Sequence, residues 1–270
     1  MPFTLSHAAA VLPGIRRDGT ARGPLLASAL VMGSFSPDMT YFAAGAIPGA
    51  MGFGTFTHAP LGVLTVDAAI TAALLALWLL VRDPLIALLP AHRQGPVHSW
   101  LRGRPTGLSW RFACCFYLSA VLGATTHIVW DAFTHHDRWG TRLIPVLGET
   151  VAGYGLYTVA QYGSSALSLL LLGWFARSAV RRQPPLAPPP SVPTLDGRGR
   201  GLALAWLGGW MLAGAVLRCV HRYVTPGNPP VTSPLDLIPT ACFGAGAGLA
   251  VGLVLYSVGM RLRTTAPERV

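Results

Sequence analysis

The chain has no lysine among its 270 residues, and Asp, Glu, Lys and Arg together make up only 11% of it. So little charge, with 52% hydrophobic residues, excludes an ordinary soluble domain and points to membrane spans. The formal charge of +10 comes from arginine alone. Those arginines stand at the ends of apolar runs, the positive-inside pattern, so the basic balance requires no nucleic acid. Cysteine is scarce and unpatterned. Cys114 and Cys115 are adjacent, Cys219 and Cys242 are isolated, and no C-x-x-C occurs, which excludes a thiolate zinc motif and a disulfide framework. The N-terminal stretch is not expected to be a secretory signal, because its apolar run precedes Arg16 and Arg17 instead of following a basic segment.

Six stretches are long enough to cross a bilayer, which takes roughly 20 apolar residues. They run over 24–47, 57–81, 112–133, 157–176, 202–219 and 237–260. Arginines cluster before the first (Arg16, Arg17, Arg22), between the second and third (Arg82, Arg93, Arg102, Arg104, Arg111), between the fourth and fifth (Arg177, Arg181, Arg182, Arg198, Arg200), and after the sixth (Arg261, Arg263, Arg269). This predicts an all-α polytopic helix bundle of about six spans in the cell membrane, both termini cytoplasmic, with Pro2–Ile15 as a short re-entrant helix. Residues 183–201, rich in proline, read as a solvated cytoplasmic linker. It separates a four-span module (1–182) from a two-span module (202–270). Ser36-Pro37 predicts a break inside the first span, because proline removes a backbone donor and restricts its predecessor.

Inside the third span, His127, Asp131 and His135 recur four apart and form one column on a helix face. Ionisable groups at membrane depth are costly and usually functional. At about 1.5 Å per residue, Asp38 lies roughly 24 Å from Arg22, and His127 roughly 24 Å from Arg111. With His58 at the outer end of the second span, these groups share one layer in the outer third of the membrane. His7, counted back from Arg16, reaches only roughly 14 Å. Imidazoles and carboxylates in this combination bind zinc, with magnesium or manganese as alternatives. The expected ligands are Asp38, His58, His127 and Asp131, with His7 and His135 able to complete a second site. Thr57, Thr126 and Thr134 are candidate orienting groups. Asp67, inside the second span, faces the bundle or carries a proton. Tyr154, Tyr157, Gln161, Tyr162, Ser164 and Ser165 form either an aromatic belt or a set of headgroup donors.

The motifs MPFTLSH, SPD at Ser36–Asp38, THAPLG at Thr57–Gly62, THIVWDAFTH at Thr126–His135 and YxxxQYGSS at Tyr157–Ser165 resemble the domain of unknown function 4184 family. More distantly, the order of an early His, a PD, a TH and an H-x-x-x-D is similar to the inner-membrane metal-dependent hydrolases. That resemblance implies His7, Asp38, His58, His127 and Asp131 as the metal set. The chain departs from it in carrying a single acid after Pro37, where Met39 follows Asp38.

The resulting expectation is a metal-dependent hydrolase of a lipid or lipid-linked ester or phosphoester. His135 or Asp67 would be the acid/base, and Arg138, Arg142 and Gln161 would hold the substrate. The rivals are a prenyl-diphosphate transferase or cyclase, a metal or proton transporter, and a His–Asp network that merely braces helices.

Overall fold

The computed structural model describes residues 3–102, 107–225, 231 and 237–265, with the backbone alone for 264 and 265. Pro2, Arg104 and Arg269, which entered the topology argument, lie outside the described residues. The described chain is all-α. After a 3₁₀ segment, Thr4–Gly14, come α1 (Ala27–Gly33), a 3₁₀ turn (Ser36–Asp38), α2 (Met39–Ala43), α3 (Ala50–Thr57), α4 (Pro60–Leu64), α5 (Val66–Ala87), α6 (Ala91–Leu101) and α7 (Trp110–Thr134). Then follow α8 (Trp139–Leu143), a two-residue hairpin (Thr150–Val151 with Tyr154–Gly155), α9 (Leu156–Val180), α10 (Gly197–Val224) and α11 (Leu237–Thr265). Among the described residues, five helices are long and apolar enough to span a membrane: α5, α7, α9, α10 and α11. The stretch expected as the first span is instead a broken helix, α1, 3₁₀ turn, α2.

The break follows from Pro37. Proline cannot donate to the carbonyl four residues back, that of Gly33; the Ser36 hydroxyl donates to it instead, at 2.8 Å. The Asp38 amide then turns to the Phe35 carbonyl at 3.2 Å, which releases the Ser34 carbonyl from the helix ladder. The proline break therefore creates an unclaimed backbone acceptor at the place where the site is built.

The chain divides into two compact units. One comprises residues 1–40, 51–75 and 100–183, the other 41–50, 76–99 and 184–270. In the first unit, α1 lies against α7 almost backbone to backbone. A Cβ added at Gly33 would sit 2.5 Å from the Ala120 carbonyl oxygen, and one added at Gly123 would sit 2.8 Å from the Ser34 nitrogen. Ala120 and Ala124 are fully buried on the same face of α7. Ser109 caps α7 by accepting from the Phe112 amide, and Ser119 accepts from the Leu26 amide at 2.9 Å. One face of α7 is thus small residues at 119, 120, 123 and 124, followed one and two turns on by His127 and Asp131. Small side chains let helices approach closely where no water drives them together.

In the second unit, α10 and α11 pack through Gly214, Gly244 and Gly248; a Cβ on Gly214 would meet the Gly248 Cα at 3.0 Å. Pro84 leaves the Leu80 carbonyl without its helical donor, and the Arg261 guanidinium supplies one at 3.0 Å. The proline-rich segment is less solvated than its composition predicts. Val192 and Pro193 are buried, and a Cβ on Gly95 would collide with the Leu186 backbone. Asp83 pairs with Arg82 at 2.7 Å and lies 3.7 Å from His98.

Overpacking of this kind costs roughly 1–3 kcal/mol. Gly123→Val is expected to lower the thermal midpoint in detergent by several degrees. Gly163→Ala, where an added methyl meets nothing within 4 Å, leaves it unchanged. Equal midpoints for both variants would show that the close approach of α1 to α7 does not stabilise the unit.

Candidate metal centre

Four side chains from separate stretches of the first unit converge. Asp38 comes from the turn after α1, His58 from the end of α3, and His127 and Asp131 from α7. One donor atom from each lies within 4.8 Å of every other. His127 Nε2 is 3.5 Å from Asp38 Oδ1 and 3.5 Å from Asp131 Oδ2. His58 Nε2 is 3.6 Å from the same two oxygens. Asp38 and His127 are fully buried, Asp131 nearly so.

These separations fit donors that share a ligand better than closed ion pairs. A charge-assisted N–H···O bond closes to about 2.7–2.9 Å. The Arg82–Asp83 and Arg142–Asp137 pairs of this structure do so, at 2.7 and 2.9 Å. The four His–Asp separations stay at 3.5–3.6 Å. Donors arranged tetrahedrally around one ion at 2.0–2.2 Å would be about 3.3–3.6 Å apart.

The protons agree. His127 Nδ1 donates to the released Ser34 carbonyl at 2.7 Å, and His58 Nδ1 to the Gly54 carbonyl at 2.9 Å. Each ring is thereby held in the tautomer that leaves Nε2 with a lone pair, the usual arrangement of a metal-ligating histidine. Asp38 Oδ2 accepts from the Thr4 hydroxyl at 2.5 Å, which turns Oδ1 toward the cluster. Asp38 Oδ1 and His127 Nε2 are buried without a hydrogen-bond partner, a costly state for polar atoms that a cation would relieve. The cluster can hold a metal ion.

His7 joins from the Thr4–Gly14 segment. Its ring stacks on that of His127, centroids 3.6 Å apart and planes 13° from parallel, and its Nε2 is 3.5 Å from Asp131 Oδ1. The segment is 3₁₀, which rises about 2.0 Å per residue, so the seven steps from Gly14 carry His7 about 14 Å, against about 10 Å for an α-helix. The Phe3 amide anchors the segment to Ser165 of α9. His135 lies at the rim; its Nδ1 is 3.0 Å from the Asp131 carbonyl, and its buried Nε2 has no partner.

The remaining expected residues lie around this group. Asp67 is fully buried near the start of α5 with neither carboxylate oxygen hydrogen-bonded, and it stands outside the group of four. Thr57 donates to the Pro37 carbonyl at 2.8 Å and lies 3.4 Å from His58 Nδ1, tying two ligand-bearing segments together. Thr126 bonds only within its own helix, to the Gly123 carbonyl, and Thr134 lies 3.4 Å from His135 Nδ1. Gln161 is buried in α9, and its carbonyl accepts from Ser165. Arg138 is exposed. Arg142 bonds Asp137 in an exposed pair and holds that carboxyl below its usual range.

A family model described as a domain of unknown function (DUF4184) matches residues 1–258. The chain belongs to that family. Its match extends well beyond the motifs in the first 175 residues and takes in the α10–α11 pair. No curated protein and no solved structure matches this chain.

Thr4, Ser34 and Gly54 were not singled out in the sequence. Thr4 is three residues before His7, one turn of a 3₁₀ helix, so a period-3 reading of the segment puts both in one column. Backbone acceptors carry no side-chain signal at all. Removing the Thr4 hydroxyl frees Asp38 to rotate. Thr4→Val is expected to weaken divalent-cation binding about 10- to 100-fold in a competition titration with a chromogenic chelator. Unchanged affinity would show that Thr4 does not position the carboxylate.

Proposed function

We propose that this protein is an integral membrane metal-dependent hydrolase that acts on a lipid or lipid-linked ester or phosphoester. The observation that carries the proposal is the donor set: two imidazole Nε2 atoms and two carboxylate oxygens brought together from separate stretches of the first unit, with Asp38, His58 and His127 each fixed by an outer hydrogen bond. Two imidazoles with two carboxylates favour zinc. A bound divalent cation supplies a Lewis acid and acidifies water toward neutrality. The chain's own residues do the rest. Asp38 and His127 form the rigid side of the site, each with its second polar atom hydrogen-bonded.

Four protein ligands would saturate a tetrahedral ion, and chemistry needs an open position or a fifth. Asp131 is the carboxylate able to yield one: its side chain is 8% exposed against 1% for Asp38. His135, next to Asp131 with an unpartnered Nε2, is placed to move a proton at the rim, and Asp67 is the second acid/base candidate. Arg138 is the exposed cation suited to a phosphate, with Arg142 and Gln161 completing the substrate side.

In the membrane, this reading has six crossings of the cell membrane. The broken α1–α2 stretch is the first, the Thr4–Gly14 segment is re-entrant, and both termini are cytoplasmic. Irregular backbone at this depth is tolerated because it is buried in protein. A four-span module (1–182) carries the site, and the residues from 202 onward form a two-span module.

One observation favours a second reading, transport of a metal or proton. The carboxylate of Asp67 is unpartnered and fully buried, and Thr71 follows one turn deeper, also buried.

Metal analysis of the purified protein is expected to give one zinc per chain, and none in Asp38→Ala or His127→Ala. Zinc-loaded wild type in nanodiscs is expected to hydrolyse ester- or phosphoester-labelled lipids. A chelator or either substitution should lower the rate about 100-fold or more. Metal retained in both variants would remove the site. Bound metal without hydrolysis, together with metal or proton flux in proteoliposomes, would replace the hydrolase with the transporter.

A further inference from the structure

A second feature of the first unit lies at the opposite end of the Thr4–Gly14 segment. The chain leaves that segment in a tight hairpin. The Arg16 amide donates to the Thr20 carbonyl at 2.7 Å and the Arg22 amide to the Gly14 carbonyl at 2.9 Å. Gly19 closes the hairpin with φ +85° against Trp100, where a Cβ would sit 2.6 Å from the Trp100 carbonyl oxygen. Beside the hairpin is a groove of about 620 Å³, walled by Leu12, Pro13, Leu171, Trp174 and Phe175 and rimmed by Arg16, Arg17 and Arg22. That is the size of a small-molecule site.

The arginines are held in place. The Arg16 Nη1 donates to the Ala21 carbonyl at 2.6 Å and the Arg22 Nε to the Pro13 carbonyl at 3.0 Å. The Arg17 guanidinium lies over the Trp174 ring, 5.3 Å from its centroid. A guanidinium has five N–H donors, so these contacts orient each head and leave donors to spare. Asp18, the acid of the same turn, folds back onto Thr20 through its Oδ1 at 2.6 and 2.9 Å. With the Arg16, Arg17 and Arg22 heads held by these contacts, the rim presents three cations on a fixed loop above an apolar trough.

We infer that this groove binds one anionic phospholipid of the surrounding bilayer. Its phosphate would lie on the Arg16–Arg17–Arg22 rim, and an acyl chain would run along Leu171 and Trp174. An apolar trough between a membrane helix and a short partial helix suits a hydrocarbon chain. A cluster of arginines at its mouth suits a phosphate, which guanidinium groups grip bidentately. Neither half alone selects this ligand: a soluble anion has no use for the trough, and a zwitterionic lipid has less use for three cations. The six steps from His7 to Pro13 span about 12 Å of 3₁₀ helix. The lipid is therefore distinct from anything bound at the histidines, and the inference does not rest on the hydrolase reading.

Native mass spectrometry of the delipidated full chain in detergent tests this. Phosphatidylglycerol is expected to bind about tenfold or more tightly than phosphatidylcholine. Arg17→Gln/Arg22→Gln should lose that preference while keeping its monodisperse elution and melting temperature. Leu171→Trp keeps every charge and fills the trough; it should also lose the bound lipid. Inorganic phosphate in large excess should not displace the lipid. Equal binding of the two lipids, binding unchanged in Leu171→Trp, or displacement by phosphate would each overturn the assignment.

Discussion

Everything at the centre of this protein depends on the distance between imidazole nitrogens and carboxylate oxygens that face one another without touching. Attraction between a charged pair would close the gap by more than half an ångström, as it does for the two arginine–aspartate pairs elsewhere in the chain. At His58, His127, Asp38 and Asp131 it does not close. The outer atoms of three of them are already committed, His127 to the Ser34 carbonyl, His58 to the Gly54 carbonyl and Asp38 to the Thr4 hydroxyl. The inner atoms are left buried and directed at a common point.

The fold supplies those commitments cheaply. Pro37 interrupts a helix, and the interruption releases one carbonyl that a regular helix would have consumed. Gly33 and Gly123 let α1 approach α7 closely enough for that carbonyl to reach His127. A 3₁₀ segment, stretched relative to an α-helix, delivers His7 and Thr4 to the same place. Each device is local, and the three meet at one site.

Much of this was legible in the sequence. The 3.6-residue period placed His127 and Asp131 on one face. Counting rise from flanking arginines brought Asp38 to the same depth, and the third to sixth expected spans appear close to their bounds, whereas the second, expected over 57–81, runs over Val66–Ala87 because Pro60 restarts the chain after α3 and leaves His58 between helices. The first span did not appear as one helix, because the proline break divides it into pieces too short to count. His7 lay beyond its expected reach because the count assumed an α-helix. The acceptors that orient the histidines were invisible, being backbone. The proline-rich segment docks through Val192 and the Leu186 backbone because a single small residue, Gly95, opens room for it, which composition alone does not express.

The family match covers residues 1–258 without assigning chemistry, so the chemistry has to come from the donor atoms themselves. X-ray absorption at the zinc edge of the purified, metal-loaded protein addresses them directly. A first shell of nitrogen and oxygen at about 2.0–2.1 Å, with outer-shell scattering from two imidazole rings, is the predicted spectrum. A shell of oxygens alone, without imidazole scattering, would contradict the account.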